Sequence, residues 1–190
     1  MKEIVFLLEE ASARAMLETL LPRMLADGIR FRCIVFEGKQ DLMNQMARRI
    51  RGYLNPEARF IVLRDQDSAP DCRVVKEELV RRVRESGRAE HAAVRIACRE
   101  LEAFYLADLV AVGQALGLPG LAGKQNKQKF RAPDYLGSPG RELHLLTKGR
   151  YQKVGSSRQI ARHLDHDNER SASFRNFIRA IRRMESILLA

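Results

Sequence analysis

The sequence predicts an α/β fold built on a largely parallel sheet with helices on both faces. Two observations carry this. Short apolar runs of strand length alternate with longer segments of helical spacing through residue 116. The apolar runs are nearly continuous rather than alternating, as expected for strands covered on both faces.

The first run, Glu3 to Leu8, ends at Glu9-Glu10. Ser12 is placed to cap a helix with Met16, Leu17, Leu20, Leu21 and Met24 on one stripe, broken at Pro22 and stopped at Asp27-Gly28. Residues 31–36 read as a second strand. Asp41 is expected to cap a helix carrying Leu42, Met43, Met46 and Ile50 inward and Arg48, Arg49 and Arg51 outward. The third strand, 59–64, leads into Asp65-Gln66-Asp67. A helix follows from Asp71, and 92–98 is the fourth strand. Residues 99–108 read as helical.

Gly117 to Gly140 holds many of the glycines and prolines and reads as a long, partly ordered, basic surface segment. Residues 156–166 and 170–189 read as two closing helices, the last striped by Phe174, Phe177, Ile178, Ile181, Met184 and Leu188. The chain thus divides into an α/β core, 1–116, and a basic segment with C-terminal helices, 117–190, packed on it as one domain. Ser171 and Ser173 read as helix caps, and the cluster His163, Asp165, His166 and Asp167 as a helix end.

The 190-residue chain carries a net charge of +10, and the excess is uneven: residues 1–100 carry a net of +3 and residues 101–190 a net of +7. Such an excess favours a polyanionic partner, nucleic acid above all. No apolar run has the length of a membrane span, and the start lacks a signal-peptide pattern. Cys33, Cys72 and Cys98 are odd in number and far apart, so a cytoplasmic, reducing setting is expected rather than a disulfide framework.

In a parallel sheet all strand C-terminal ends share one edge, where ligand sites form. Glu9 and Glu10 follow strand one, Asp65 and Asp67 strand three, Glu100 and Glu102 strand four. Clustered carboxylates repel one another, and a divalent cation relieves that repulsion. Mg²⁺ (or Mn²⁺) fits such oxygen donors, and beside a basic surface the natural chemistry is metal-assisted phosphodiester cleavage. Lys148, Arg150 and Lys153 could reach a scissile phosphate. Lys124, Lys127, Lys129 and Arg131, with Phe130 among them, could grip a nucleic-acid backbone.

Ile4-Val5-Phe6-Leu7-Leu8-Glu9 resembles the first motif of Toprim domains, and Phe60 to Asp67 resembles their Asp-x-Asp motif. Together with Arg99-Glu100-Leu101-Glu102-Ala103, Tyr151-Gln152-Lys153 and Ser171-Ala172-Ser173-Phe174, the chain is similar to a Toprim-like family often encoded beside AAA-type ATPases. The resemblance implies a Mg²⁺ site with Glu9 as general acid/base and Asp65 and Asp67 as ligands, joined by Glu100 or Glu102. It also implies a nuclease working as effector of a partner ATPase in bacterial defence or repair. Glu10 stands where that first motif has Gly, and Ala13 where a second acid often follows. An alternative is therefore a Toprim-shaped subunit without catalysis that docks an ATPase or nucleic acid. A receiver-like phosphoacceptor domain is a third reading, since acids after strands one and three also suit aspartyl phosphorylation.

Overall fold

The computed structural model describes residues 1–190. Four strands, β1 (Glu3–Leu8), β2 (Arg30–Val35), β3 (Arg59–Asp65) and β4 (Ala92–Ala97), form one sheet in the order β2-β1-β3-β4. Every pairing is parallel, so the expected α/β architecture is the one observed. Nine helices follow: α1 (Ala11–Leu20), α2 (Lys39–Arg51), α3 (Cys72–Glu85), α4 (Glu102–Leu106), α5 (Leu109–Leu116), α6 (Gln128–Arg131), α7 (Pro139–Leu146), α8 (Lys153–Ala161) and α9 (Ala172–Leu189). None is long and apolar enough to cross a membrane.

The strand order dictates where the helices go. The chain steps one way from β1 to β2, then reverses to reach β3 and β4. Right-handed crossovers therefore place α1 on one face and α2 and α3 on the other. The side chains agree. Ile4, Phe6, Leu8, Ile61 and Leu63 pack with α1, α5, α8 and α9, whereas Val5, Leu7, Phe60 and Val62 pack with α2 and α3. Strand side chains alternate between faces with period two, so both faces of β1 and β3 are buried. On the larger face Phe6 meets Phe177 edge-on at 6.3 Å, and Phe104 lies 5.0 Å from Phe174.

Helix starts differ from expectation in two places. Gly38, not Asp41, stands at the N-cap of α2 with φ 84°, a conformation that glycine adopts without strain. Asp41 lies inside the first turn, where its carboxylate accepts the Glu37 N–H. Glu10, not Ser12, precedes α1, and the Ser12 hydroxyl donates to the Glu10 carboxylate (3.1 Å). By contrast Ser171 caps α9, accepting the Phe174 N–H.

Residues 117–140 are more ordered than the glycines and prolines implied. Short 3-10 helices at Pro119–Lys124 and Pro133–Tyr135 flank α6, and Leu121 and Phe130 are buried in the main core. The reason is Gln125. Its buried amide accepts the Leu109 N–H and donates to the carbonyls of Leu106 and Phe130, tying the segment to α4 and α5. Residues 99–108 are not one helix: α4 ends at Leu106, and Asp108 caps α5 by accepting the Ala111 N–H.

Candidate metal centre

β1 and β3 are neighbours whose following connections leave toward opposite edges of the sheet. The crevice beyond their C-terminal ends is thus the topological switch point, where open α/β sheets bind ligands. A cleft of about 380 Å³ opens there, with Glu10, Asp65, Asp67, Glu100 and Glu102 in its wall beside Tyr151 and Lys153. Five acids from three strand ends meet as the parallel sheet requires. Glu9 borders the adjoining cleft of about 900 Å³, which it shares with Lys39, Arg99 and again Asp67 and Glu100.

Each acid is held differently. Glu9 is nine-tenths buried, lies 3.7 Å from Arg64 Nε, and accepts the Asp65 N–H at 3.4 Å. Burial raises its pKa, helped by the Asp67 charge and opposed by Arg64. Asp65 has its pKa raised well above the ordinary carboxylate value, first by burial and then by the charges of Glu102, Glu10 and Glu9. Asp67 follows in the left-handed conformation (φ 55°), which aspartate tolerates. Its carboxylate lies 3.7 Å from Lys39 Nζ.

Glu102 is only 3% exposed. Burial raises its pKa, while the hydroxyl of Tyr151, donating to Oε1 at 2.9 Å, and the charge of Lys153 pull it back. Glu100 accepts the Gly140 N–H at the start of α7 (2.5 Å) and so serves that helix end. Glycine at 140 lets the carboxylate come this close: a Cβ there would stand 2.9 Å from Glu100 Oε2 and displace it. Lys153 forms a 2.5 Å ion pair with Glu10. Partial burial works against its charge, but the Glu10 hydrogen bond and the charges of Glu10, Glu102 and Asp65 raise its pKa overall.

The two loops that carry these acids are fastened to each other. Asp67 N–H donates to the Arg99 carbonyl (2.8 Å), and the buried Gln66 amide accepts the Arg99 N–H and donates to the Ala69 carbonyl. Arg99 is itself left-handed (φ 63°), so the clasp holds two residues in a sparsely populated conformation.

No three His, Cys, Asp or Glu side chains stand as a ready-made metal cage. The donor set is nonetheless all oxygen, negatively charged and partly withdrawn from water. Such a set suits Mg²⁺, which takes one or two carboxylates and keeps several waters.

The basic residues singled out in the sequence are scattered. Lys129 pairs with Glu142 at 2.5 Å, and Phe130 is 4% exposed, so it cannot stack on a base. Arg131 donates to the Asn126 carbonyl, Arg150 to that of Leu116. Lys124, Lys127 and Lys148 form no ion pair with the acidic cleft. Sequence reasoning counted Glu10 among the converging acids and met Tyr151 only within the family resemblance, and it gave no role to Gln66 or Gly140. One available signal was Ser138-Pro139, a cap followed by proline at the first helical position, which marks the start of α7 beside the acids.

A family model described as a domain of unknown function, DUF4276, matches residues 8–182. No curated protein and no solved structure matches the chain.

Proposed function

The chain belongs to the DUF4276 family, and from its own residues we propose a Mg²⁺-dependent phosphodiesterase that acts on nucleic acid. The observation that supports this reading is the meeting of carboxylates from three strand ends at the switch point, with Asp65 crowded by Glu102, Glu10 and Glu9. Asp65 and Asp67 would hold the cation, with Glu102 or Glu100 beside them. A bound Mg²⁺ would supply Lewis-acid polarisation of a phosphate oxygen and a water of lowered pKa.

The chain's own groups provide the rest. Lys153, whose cationic state is favoured by three acids, is placed to neutralise charge developing on the phosphate. Glu9 and Glu10 are the proton-handling carboxylates. Glu9 carries a raised pKa suited to exchange nearer neutrality. Glu10 opens directly into the cleft. Tyr151 orients Glu102. The resemblance of β1-Glu9 and of Asp65-Gln66-Asp67 to Toprim motifs agrees with this assignment, and it brings the proposal that a AAA-type ATPase is the partner in bacterial defence or repair.

A second reading has an observation behind it. Lys153 pairs Glu10, Arg64 pairs Glu9 and Gly140 occupies Glu100. Acids already satisfied in this way fit a subunit that docks an ATPase or nucleic acid without cleaving it.

The test is a calorimetric titration of Mg²⁺ and Mn²⁺ into the wild type and an Asp65→Ala, Asp67→Ala variant, paired with plasmid and oligonucleotide cleavage on the same samples. Binding and cleavage both present in the wild type and both lost in the variant support the phosphodiesterase. Metal binding without cleavage points to a required ATPase activator. Absence of metal binding leaves the docking subunit.

A further inference from the structure

β4 is an edge strand: it pairs with β3 and no strand pairs on its other side. A groove of about 860 Å³ runs along that open edge between α3 and the start of α9. Its wall carries Arg73, Lys76, Arg95, Arg99 and Arg170, and Tyr135 stands at the rim 89% exposed. None of these five cations forms an ion pair within the chain; Arg95 donates to the carbonyls of Asn176 and Val94 and Arg99 to that of Ala69, while Arg73, Lys76 and Arg170 make no side-chain hydrogen bond.

The two acids of the groove are already engaged. Asp71 accepts the Arg73 N–H to cap α3. Asp134 accepts the Ser173 N–H and both serine hydroxyls, of Ser171 and Ser173. Arg95 is crowded: burial and the neighbouring Arg183 charge lower its pKa. An anion in the groove would relieve that crowding.

Arg99 connects this groove to the site. It lines both the β4-edge groove and the cleft that contains Glu9, Asp67 and Glu100. We propose that the β4-edge groove is the binding track for a single-stranded polynucleotide, its phosphates on Arg73, Lys76, Arg95, Arg99 and Arg170, a base on Tyr135, and its path leading past Arg99 to the acidic cleft. The inference rests on the nucleic-acid reading above and names the form of its substrate. Unpaired cations that follow a backbone, with an exposed aromatic ring for a base, are the recognition chemistry of single strands.

The test is fluorescence anisotropy with labelled 20-nucleotide oligothymidylate and oligouridylate in EDTA, so that metal and cleavage play no part. Arg73→Glu with Lys76→Glu is expected to weaken binding about tenfold or more and to lower the salt slope by about 1–2. Tyr135→Ala is expected to cost about tenfold. The matched charge change on α2, Arg48→Glu with Arg49→Glu, serves as control and is expected to stay within about twofold. A better response with either sugar supports the track and identifies the substrate strand.

Three results overturn the inference: wild-type binding by the groove variants, equal competition by duplex or by oligoglutamate, or a loss confined to Lys124→Glu with Lys127→Glu. Failure of the phosphodiesterase reading is separable. A wild type that binds no metal in that assay is still expected to bind oligonucleotide here.

Discussion

The hydroxyl of Tyr151 donates to Glu102 Oε1 across 2.9 Å and 49 residues of sequence, and both side chains are buried. This bond favours the anionic form of a carboxylate whose pKa burial raises overall. Tyr151→Phe keeps the ring and removes the donor. It is expected to lower stability by about 1–3 kcal/mol, because a buried acceptor loses its partner. It is also expected to weaken Mg²⁺ binding through loss of the oriented Glu102. Urea denaturation and calorimetry measure the two effects separately.

Glu9, Asp65 and Glu102 all have pKa values raised by folding. Between the ordinary carboxylate values and the raised ones, the folded chain binds more protons than the unfolded chain. Stability from these groups is therefore greatest at low pH and falls as pH rises through that window. Without divalent cations the melting temperature is expected to decline from mildly acidic pH toward neutral. Asp65→Asn should flatten the decline and raise stability at neutral pH. Added Mg²⁺ should stabilise the wild type far more at pH 8 than at pH 5, since protonated carboxylates are poor ligands. Thermal melts across pH, with and without Mg²⁺, check all three.

Gly140→Ala puts a Cβ 2.9 Å from Glu100 Oε2, so the carboxylate or the start of α7 has to shift. Only the free end of the Glu100 side chain has to move, so the expected result is a stability change within about 1 kcal/mol and weaker metal binding by calorimetry. Gly155 in α8 has open space around it. Gly155→Ala is expected to be neutral or to stabilise by up to about 1 kcal/mol through helix propensity. Chemical denaturation of the two variants side by side makes the comparison.

Gln66→Leu fills the same space but leaves the Arg99 N–H unpartnered and the Ala69 carbonyl with only the Arg99 guanidinium at 3.4 Å. A loss of about 2 kcal/mol or more is expected. The released loops should also show faster amide hydrogen exchange at Asp67 and Arg99, while the amides of β1 stay protected.

The sequence by itself determined the layered architecture. Continuous apolar runs at 4–8 and 60–63 require strands buried on both faces, and the helical stripe from Phe174 to Leu188 requires a packed helix. It also brought the acids to one edge, because a parallel sheet leaves no other place for residues that follow its strands. What tertiary structure alone decided is which acid faces which cleft. Strand alternation stops at Leu8, and the turn into α1 sends Glu10 into the cleft with Lys153 while Glu9 turns to Arg64. The partners of Glu100 and Glu102, Gly140 and Tyr151, lie 40 and 49 residues away. No local period encodes such pairings, which exist only once α7 has packed on α4 and α8 on α1 and α5. The same holds for the basic surface. Of the lysines between glycines, Lys129 is taken up by Glu142, and the cations along β4 are gathered from α3, β4 and the connections beside it.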